Sequence, residues 1–103
     1  MSYKLQFKQE FKEAYRQEFM DLEQEFVVLE HANPRFPIGK RYLTLCGTEN
    51  TNTLIWECEF EGLDELYSAI SIMEQSQDHS RLYDLQKRYI SRIYTSIFRS
   101  IES

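Results

Sequence analysis

The sequence predicts an α+β fold in which two helices cover one face of a four-stranded antiparallel sheet, in the order β-α-β-β-α-β. Three observations support this prediction. Residues 40–61 alternate apolar and polar side chains on either side of a polar turn, which is typical of a β-hairpin. Residues 11–30 repeat apolar side chains at intervals of three and four, as a helix does. Both ends of the chain alternate again, which predicts a strand at each end.

The first strand is predicted over residues 2–8, where Tyr3, Leu5 and Phe7 alternate with polar residues. The helix follows over residues 11–30, and Pro34 ends it because proline disfavours helical geometry at the preceding residue. Phe7 also lies four residues before Phe11, so the helix could begin earlier and replace the strand. The apolar stripe of the helix contains Phe11, Tyr15, Phe19, Leu22, Phe26 and Leu29. The acidic residues outside it, Glu23 among them, are expected to be solvated.

The central hairpin occupies residues 40–61, with a turn over residues 47–52 that is rich in glycine, threonine and asparagine. One face of its second strand is expected to lie beneath the helices, namely Leu54, Trp56, Cys58 and Phe60. If the turn centres near Asn50, Arg41 pairs with Glu59 on the open face. The helix-facing pairs are then Thr44 with Trp56, Tyr42 with Cys58 and Cys46 with Leu54.

Two expectations follow from this register. The Trp56 indole N–H finds its hydrogen-bond partner in Thr44, since a buried indole needs one. Cys46 and Cys58 lie too far apart along the hairpin to be bridged, so both are expected to be free and buried.

The second half of the chain predicts a helix and a final strand. Gly62 caps the helix, with Asp64 and Glu65 near its positive end. Its apolar stripe consists of Leu63, Leu66, Tyr67, Ile70 and Met73. Residues 75–79 interrupt the pattern, and Ser80 is placed to cap a continuation. The alternation of the tail from about Arg92 predicts the last strand.

Composition restricts the classes of function. A chain of 103 residues predicts one domain over residues 1–103, and 42% hydrophobic with 15% aromatic residues favours a globular fold. A formal charge of −5 argues against nucleic acid as a partner, because phosphates attract a basic surface. No apolar run reaches membrane-spanning length, and two cysteines without a signal-like segment predict a cytoplasmic protein.

The element order is a ferredoxin-like plan. The open face of the sheet is expected to hold Leu43, Leu45 and Ile55 among Arg41, Glu57 and Glu59, which is too apolar for ordinary surface. A second copy of the chain is therefore expected to cover it, which predicts a homodimer through the open sheet face.

Residues 39–42, 52–57 and 60–63, with the helical segment at residues 22–26, resemble the dimeric α+β barrel superfamily, in particular its NIPSNAP-like small bacterial members. The resemblance implies a homodimer with its sheets face to face and often a pocket between sheet and helices. The chain departs from the family pattern because it lacks a Pro-Gly turn after the first strand.

The resemblance also implies haem degradation as a candidate activity. The haem-degrading members of the superfamily use an Asn in the first strand, a Trp at the end of the third strand, and a His in the second helical region. Here the first strand has no Asn, Phe60 stands in place of the Trp, and His79 falls in the break between helical segments. The cysteines and histidines show no metal-ligand spacing, and the glycines form no phosphate loop, so no cofactor and no metal are predicted. An RNA-recognition domain is excluded because the third strand is acidic.

Single residues have mainly structural interpretations. His31 and His79 are expected to be a helix-end and a loop residue, not an acid–base pair. Glu57 and Glu59 share one strand face and could act as paired carboxylates, but partners for Arg41 or Lys40 are the favoured interpretation.

The leading functional hypothesis is therefore a homodimer that binds a small apolar or aromatic ligand between sheet and helices. The candidate pocket residues are Trp56, Tyr42 and Phe60 from the sheet, with Tyr15, Phe19 and Tyr67 from the helices. The alternatives are a cofactor-independent monooxygenase-like enzyme and a structural or regulatory interaction module without a ligand.

Overall fold

The computed structural model describes residues 1–101, in which helices pack on one face of a four-stranded antiparallel sheet. The strands are β1 (Tyr3–Phe11), β2 (Lys40–Leu43), β3 (Thr53–Phe60) and β4 (Ile90–Arg99), in the spatial order β2-β3-β1-β4. The helices are α1 (Arg16–Ala32), α2 (Leu63–Gln75) and α3 (Gln77–Gln86). The predicted ferredoxin-like α+β plan is confirmed, with its second helical region divided in two.

Strand β1 is central and longer than predicted, because it runs to Phe11 and not to Lys8. It pairs with β3 and β4, and places Phe7 between Trp56 and Thr95 on the face that the helices cover. The predicted helix start at Phe11 is wrong. Phe11 is the last residue of β1. It is fully buried there and stacks on Phe19 of α1 with 4.6 Å between ring centroids, so its ring belongs to the core.

Helix α1 ends at Ala32, and Asn33 is extended, as Pro34 predicts. Its buried residues are Phe19, Glu23, Phe26 and Glu30. The expectation that Glu23 is solvated is wrong, since its side chain lies beneath the helix among charged and polar partners.

The predicted register of the hairpin is wrong by three residues. Arg41 lies opposite Trp56, and Tyr42 lies opposite Ile55. An odd shift exchanges the faces of a strand, so Arg41 and Leu43 face the helices and Tyr42 faces away. Arg41 consequently does not pair with Glu59. It forms ion pairs with Glu23 and Glu30 of α1, which hold β2 in this register.

The longer connection between β2 and β3 changes several expectations. Cys46 is exposed in this connection and Cys58 is half-buried, so both thiols are free but neither is fully buried. Leu45 is also an exposed residue of the connection. Of the three apolar residues expected on the open sheet face, Ile55 alone lies there.

The second half of the chain follows its prediction more closely. Gly62 is the N-cap of α2, with Asp64 and Glu65 in the first turn. Helix α3 is capped by Ser76 and not by Ser80, because Ser76 is extended and its hydroxyl accepts the His79 backbone N–H at 3.1 Å. The final strand is confirmed and begins at Ile90.

The core consists of two apolar clusters between the sheet and the helices. The first contains Leu5, Trp56, Leu66 and Met73, and the second contains Phe11, Phe19 and Leu54. The helices of residues 1–101 include none that is both long and apolar enough to cross a membrane.

Gly39, just before β2, packs against the edge of the Trp56 indole. A Cβ atom at Gly39 would overlap Nε1 and Cε2 of that ring, and Trp56 is buried. We expect Gly39→Ser to lower the free energy of unfolding by about 1–3 kcal/mol, because it overpacks a buried ring. Denaturant unfolding measures this loss.

The matched control is Gly62→Ser. A Cβ at Gly62 meets no atom within 4 Å, and serine is a favoured N-cap. This variant should be as stable as the parent or slightly more stable, and equal losses at both positions would contradict the role of the Trp56 contact.

Candidate functional site

A cavity of about 440 Å³ lies between the sheet and the helices. The sheet contributes Phe7 and Gln9 from β1, Arg41 from β2, Trp56 from β3, and Ile93 and Thr95 from β4. The helical wall comprises Glu23, Phe26 and Glu30 of α1, Ile70, Met73 and Glu74 of α2, and His79, Ser80, Tyr83, Asp84 and Gln86 of α3. This volume falls in the range of small-molecule sites, and although about half of the lining residues are polar or charged, apolar atoms contribute most of the exposed lining surface.

One wall of the cavity is a buried cluster of charges. The Arg41 guanidinium donates through Nε to Glu23 Oε2, through Nη1 to Glu30 Oε1 at 3.2 Å, and through Nη2 to Glu30 Oε2. The three side chains are only 15%, 6% and 8% exposed, in the order Arg41, Glu23, Glu30. Since the planar guanidinium is held by two carboxylates, its position is determined closely.

Further donors orient the two carboxylates. Gln86 of α3 donates from Nε2 to Glu23 Oε1 at 2.8 Å and to the Phe19 carbonyl oxygen at 3.3 Å. The Gly39 backbone N–H donates to Glu30 Oε1 at 3.0 Å. Each of the four carboxylate oxygens therefore accepts at least one hydrogen bond, which is the condition for burying such charges.

The cluster leaves an excess of negative charge beside the cavity. Burial lowers the pKa of Arg41, but the hydrogen bonds and charges of Glu30 and Glu23 outweigh burial and raise that pKa overall. Arg41 therefore remains protonated and balances one of the two carboxylates. The pKa of the Cys58 thiol is raised, first by burial and then by the charges of Glu30 and Glu59, which is consistent with a negative potential.

Aromatic rings form the apolar part of the wall. Phe7 stacks on Trp56 with ring centroids 5.1 Å apart, and His79 lies edge-on to Phe26 at 5.1 Å. Burial lowers the pKa of His79, and the charge of Glu30 opposes this shift without cancelling it. The imidazole is therefore neutral near neutral pH. In this form it can donate one hydrogen bond and accept another.

The structure does not bring the six predicted pocket residues together. Trp56 lines the cavity, but its N–H has no partner among residues 1–101, so the expected hydrogen bond to Thr44 is not formed. Phe19 is fully buried in the second core cluster, and Phe60 borders a separate shallow cleft. The tyrosines, about half exposed, lie outside the cavity lining: Tyr15, Tyr42 and Tyr67.

Five charged or polar residues line the cavity although the sequence interpretation did not place them in the pocket: Glu23, Glu30, Arg41, Gln86 and His79. One signal was present for two of them. Glu23 and Glu30 alternate with Phe19 and Phe26 at helical intervals of four, three and four, so they belong to the buried stripe.

The other charged candidates have structural roles. His31 lies at the end of α1, where its Nδ1 is 2.9 Å from the Val27 carbonyl oxygen. Glu57 pairs with Lys4 at 3.4 Å and also lies opposite Lys40. Within residues 1–101, groups of three or more His, Cys, Asp or Glu side chains suited to a metal ion are absent.

Comparison with known proteins shows the fold. The sequence matches no family model, and no curated protein matches it. A NIPSNAP family protein from Agrobacterium tumefaciens superposes with a TM-score of 0.80 at 13% identity, over 98% of this chain and 87% of that one. An antibiotic biosynthesis monooxygenase superposes with a TM-score of 0.75 at 12% identity, over 97% of this chain and 99% of that one. A protein from Bacteroides fragilis, described as dimeric and of ferredoxin-like fold, superposes with a TM-score of 0.70 at 12% identity, over 96% of each chain.

The predicted likeness to NIPSNAP-like proteins of ferredoxin-like fold is thereby confirmed. Identities this low establish a common fold and carry no activity from those proteins to this one.

The charge cluster generates a stability prediction. Arg41→Gln leaves two buried carboxylates without a counter-charge, so we expect the free energy of unfolding to fall by about 3–5 kcal/mol. Denaturant unfolding near neutral pH measures the loss. Lys87→Gln is the control, because Lys87 pairs with Asp84 at the surface and its loss should cost less than about 1 kcal/mol.

A further variant separates charge from packing. Adding Glu23→Gln and Glu30→Gln to Arg41→Gln removes the uncompensated charges while keeping the shapes of the side chains. We expect this triple variant to be more stable than Arg41→Gln alone. A triple variant that is no more stable would show that the guanidinium acts through its volume.

Proposed function

We propose that this protein binds a small, largely apolar ligand with a flat aromatic body in the cavity between its sheet and its helices. The observation that carries the proposal is a cavity of about 440 Å³ whose aromatic wall adjoins a buried charge cluster in which every carboxylate oxygen accepts a hydrogen bond. The space is partly open to solvent and remains unfilled between the sheet and the helices, and a concave cleft of this size is the usual form of a small-molecule site.

The arrangement of the lining supports binding. Trp56 and Phe7 offer a stacked aromatic surface, and Ile70 and Met73 provide flexible apolar contacts from α2. Among the polar lining groups, Arg41, Glu23 and Glu30 are buried and held by one another, so they can orient one end of a ligand. A few fixed polar groups in an apolar cleft are the usual composition of a small-molecule site.

We also infer that a second copy of the chain covers the open face of the sheet. Tyr42, Tyr94 and Phe98 project from that face and are 50%, 47% and 47% exposed; Ile55 lies opposite Tyr42, and Lys8 of β1 separates it from Tyr94. An aromatic surface of this kind is typical of protein interfaces. The dimeric description of the Bacteroides fragilis structure, which shares the fold, supports the same inference.

Two further properties are part of the proposal. The free cysteines fit a reducing compartment such as the cytoplasm.

A cofactor-independent oxygenase-like activity, the alternative from the sequence, would use the same cavity. Oxygen uptake with a quinol-like aromatic compound tests that activity, and no uptake above the uncatalysed rate would remove it.

The binding proposal predicts a response to an uncharged aromatic probe. N-phenylnaphthylamine becomes fluorescent in apolar surroundings, so we expect saturable enhancement when it is titrated with the protein. Ile93→Trp, at the cavity wall, should weaken this binding at least about threefold by filling space that the probe needs.

Ile97→Trp is the matched control. Ile97 is on the same face of β4 and is 38% exposed, against 42% for Ile93, but it does not line the cavity. Its substitution should leave probe affinity unchanged. Absence of saturable enhancement with the parent protein, or equal weakening by both variants, would overturn the proposal.

The dimer proposal predicts a solution mass of twice the chain mass by light scattering over a dilution series. Phe98→Glu should shift the mass towards the monomer, because it buries a carboxylate in the interface. Val28→Glu is the control, since Val28 is 65% exposed on α1, away from the open face. A monomeric parent protein, or a Phe98→Glu variant of unchanged mass, would contradict this interface.

A further inference from the structure

We propose that the ligand of this cavity carries a positive charge, as a protonated amine attached to an aromatic body. This inference rests on the proposed binding function and specifies its ligand class. Four carboxylates line the cavity, those of Glu23, Glu30, Glu74 and Asp84, against the single guanidinium of Arg41.

The inner part of the cavity is negative. Glu23 and Glu30 together exceed the charge of Arg41 by one, and both are almost completely removed from water. Their oxygens accept five hydrogen bonds from Arg41, Gln86 and Gly39. Two carboxylates offer roughly eight acceptor positions, so about three positions remain for an ammonium group.

The outer part of the cavity adds to this charge. Glu74, at the end of α2, is exposed and has no ion-pair partner among residues 1–101. Asp84 of α3 is offset by Lys87 at 3.1 Å. His79 contributes no opposing charge near neutral pH, because burial keeps its imidazole neutral.

The aromatic wall suits a cation as well. Trp56, Phe7 and Phe26 all line the cavity, and the faces of such rings attract an ammonium group. An anionic ligand would meet the opposite situation. Three of the five N–H groups of Arg41 already donate to Glu23 and Glu30, and a carboxylate or phosphate bound at the other two would lie beside these two carboxylates, which repel it.

The test compares three aromatic compounds that differ in charge: naphthylethylamine, naphthylethanol and naphthylacetate. Their affinities for the intact protein are measured near neutral pH by displacement of N-phenylnaphthylamine and by calorimetry. We expect the amine to bind about tenfold more tightly than the alcohol, and the acetate to bind most weakly. High salt should reduce the difference between amine and alcohol, because it screens the charges near the opening.

Two variants of α2 provide a matched comparison. Glu74→Gln removes a charge from the cavity, whereas Glu65→Gln removes one from the first turn of the same helix, outside the cavity lining. Both residues are exposed, so neither change should prevent folding. We expect Glu74→Gln to reduce the preference for the amine about two- to threefold, and Glu65→Gln to leave it unchanged.

The possible failures are distinguishable. If the alcohol binds and the amine binds no better, the charge inference is overturned and the cavity remains a binding site. An equal effect of both glutamate variants would show a preference that comes from the overall charge of the protein, and would also overturn it. If none of the compounds binds and the fluorescent probe gives no signal, the proposed function itself fails.

Discussion

The ion pairs of Arg41 with Glu23 and Glu30 are the constraint on which the rest of the structure depends. They join the edge strand β2 to helix α1 across the sheet–helix interface, and Gln86 adds α3 to the same group. Charges this deeply buried are stable only when they are paired and well hydrogen-bonded. The positions of three elements are therefore coupled, and the cavity is bounded by the residues that couple them.

The cluster also explains the character of the cavity. Space beside an apolar sheet is normally filled by larger side chains. Here an apolar side chain packed against Glu23 and Glu30 would leave the free acceptor positions of their carboxylates without hydrogen-bond partners, which is unfavourable. The result is a cleft with a polar end at Glu23 and Glu30 and an aromatic side at Trp56 and Phe7. Such asymmetry favours ligands that have two chemically different ends.

The elements could be predicted because their signals are local. The alternation of β3 placed Leu54 and Trp56 in the core, and Gly62 with its acidic neighbours indicated the start of α2. The register of β2 could not be predicted in this way, because it depends on where Arg41 meets carboxylates that lie eleven and eighteen residues away. The candidate site was missed for the same reason. A glutamate is normally solvated, and only its position between Phe19 and Phe26 distinguished Glu23 from its exposed neighbours.

The interruption at Ser76 has a consequence for how proteins of this architecture diversify. The end of α2 and the beginning of α3 together form one side of the cavity, and a single extended residue joins them. We expect a longer or differently bent connection at Ser76 to change the volume of the cavity without altering the pairing of the strands. Insertions or substitutions at this one connection could therefore change which ligands fit the cavity while the sheet stays the same.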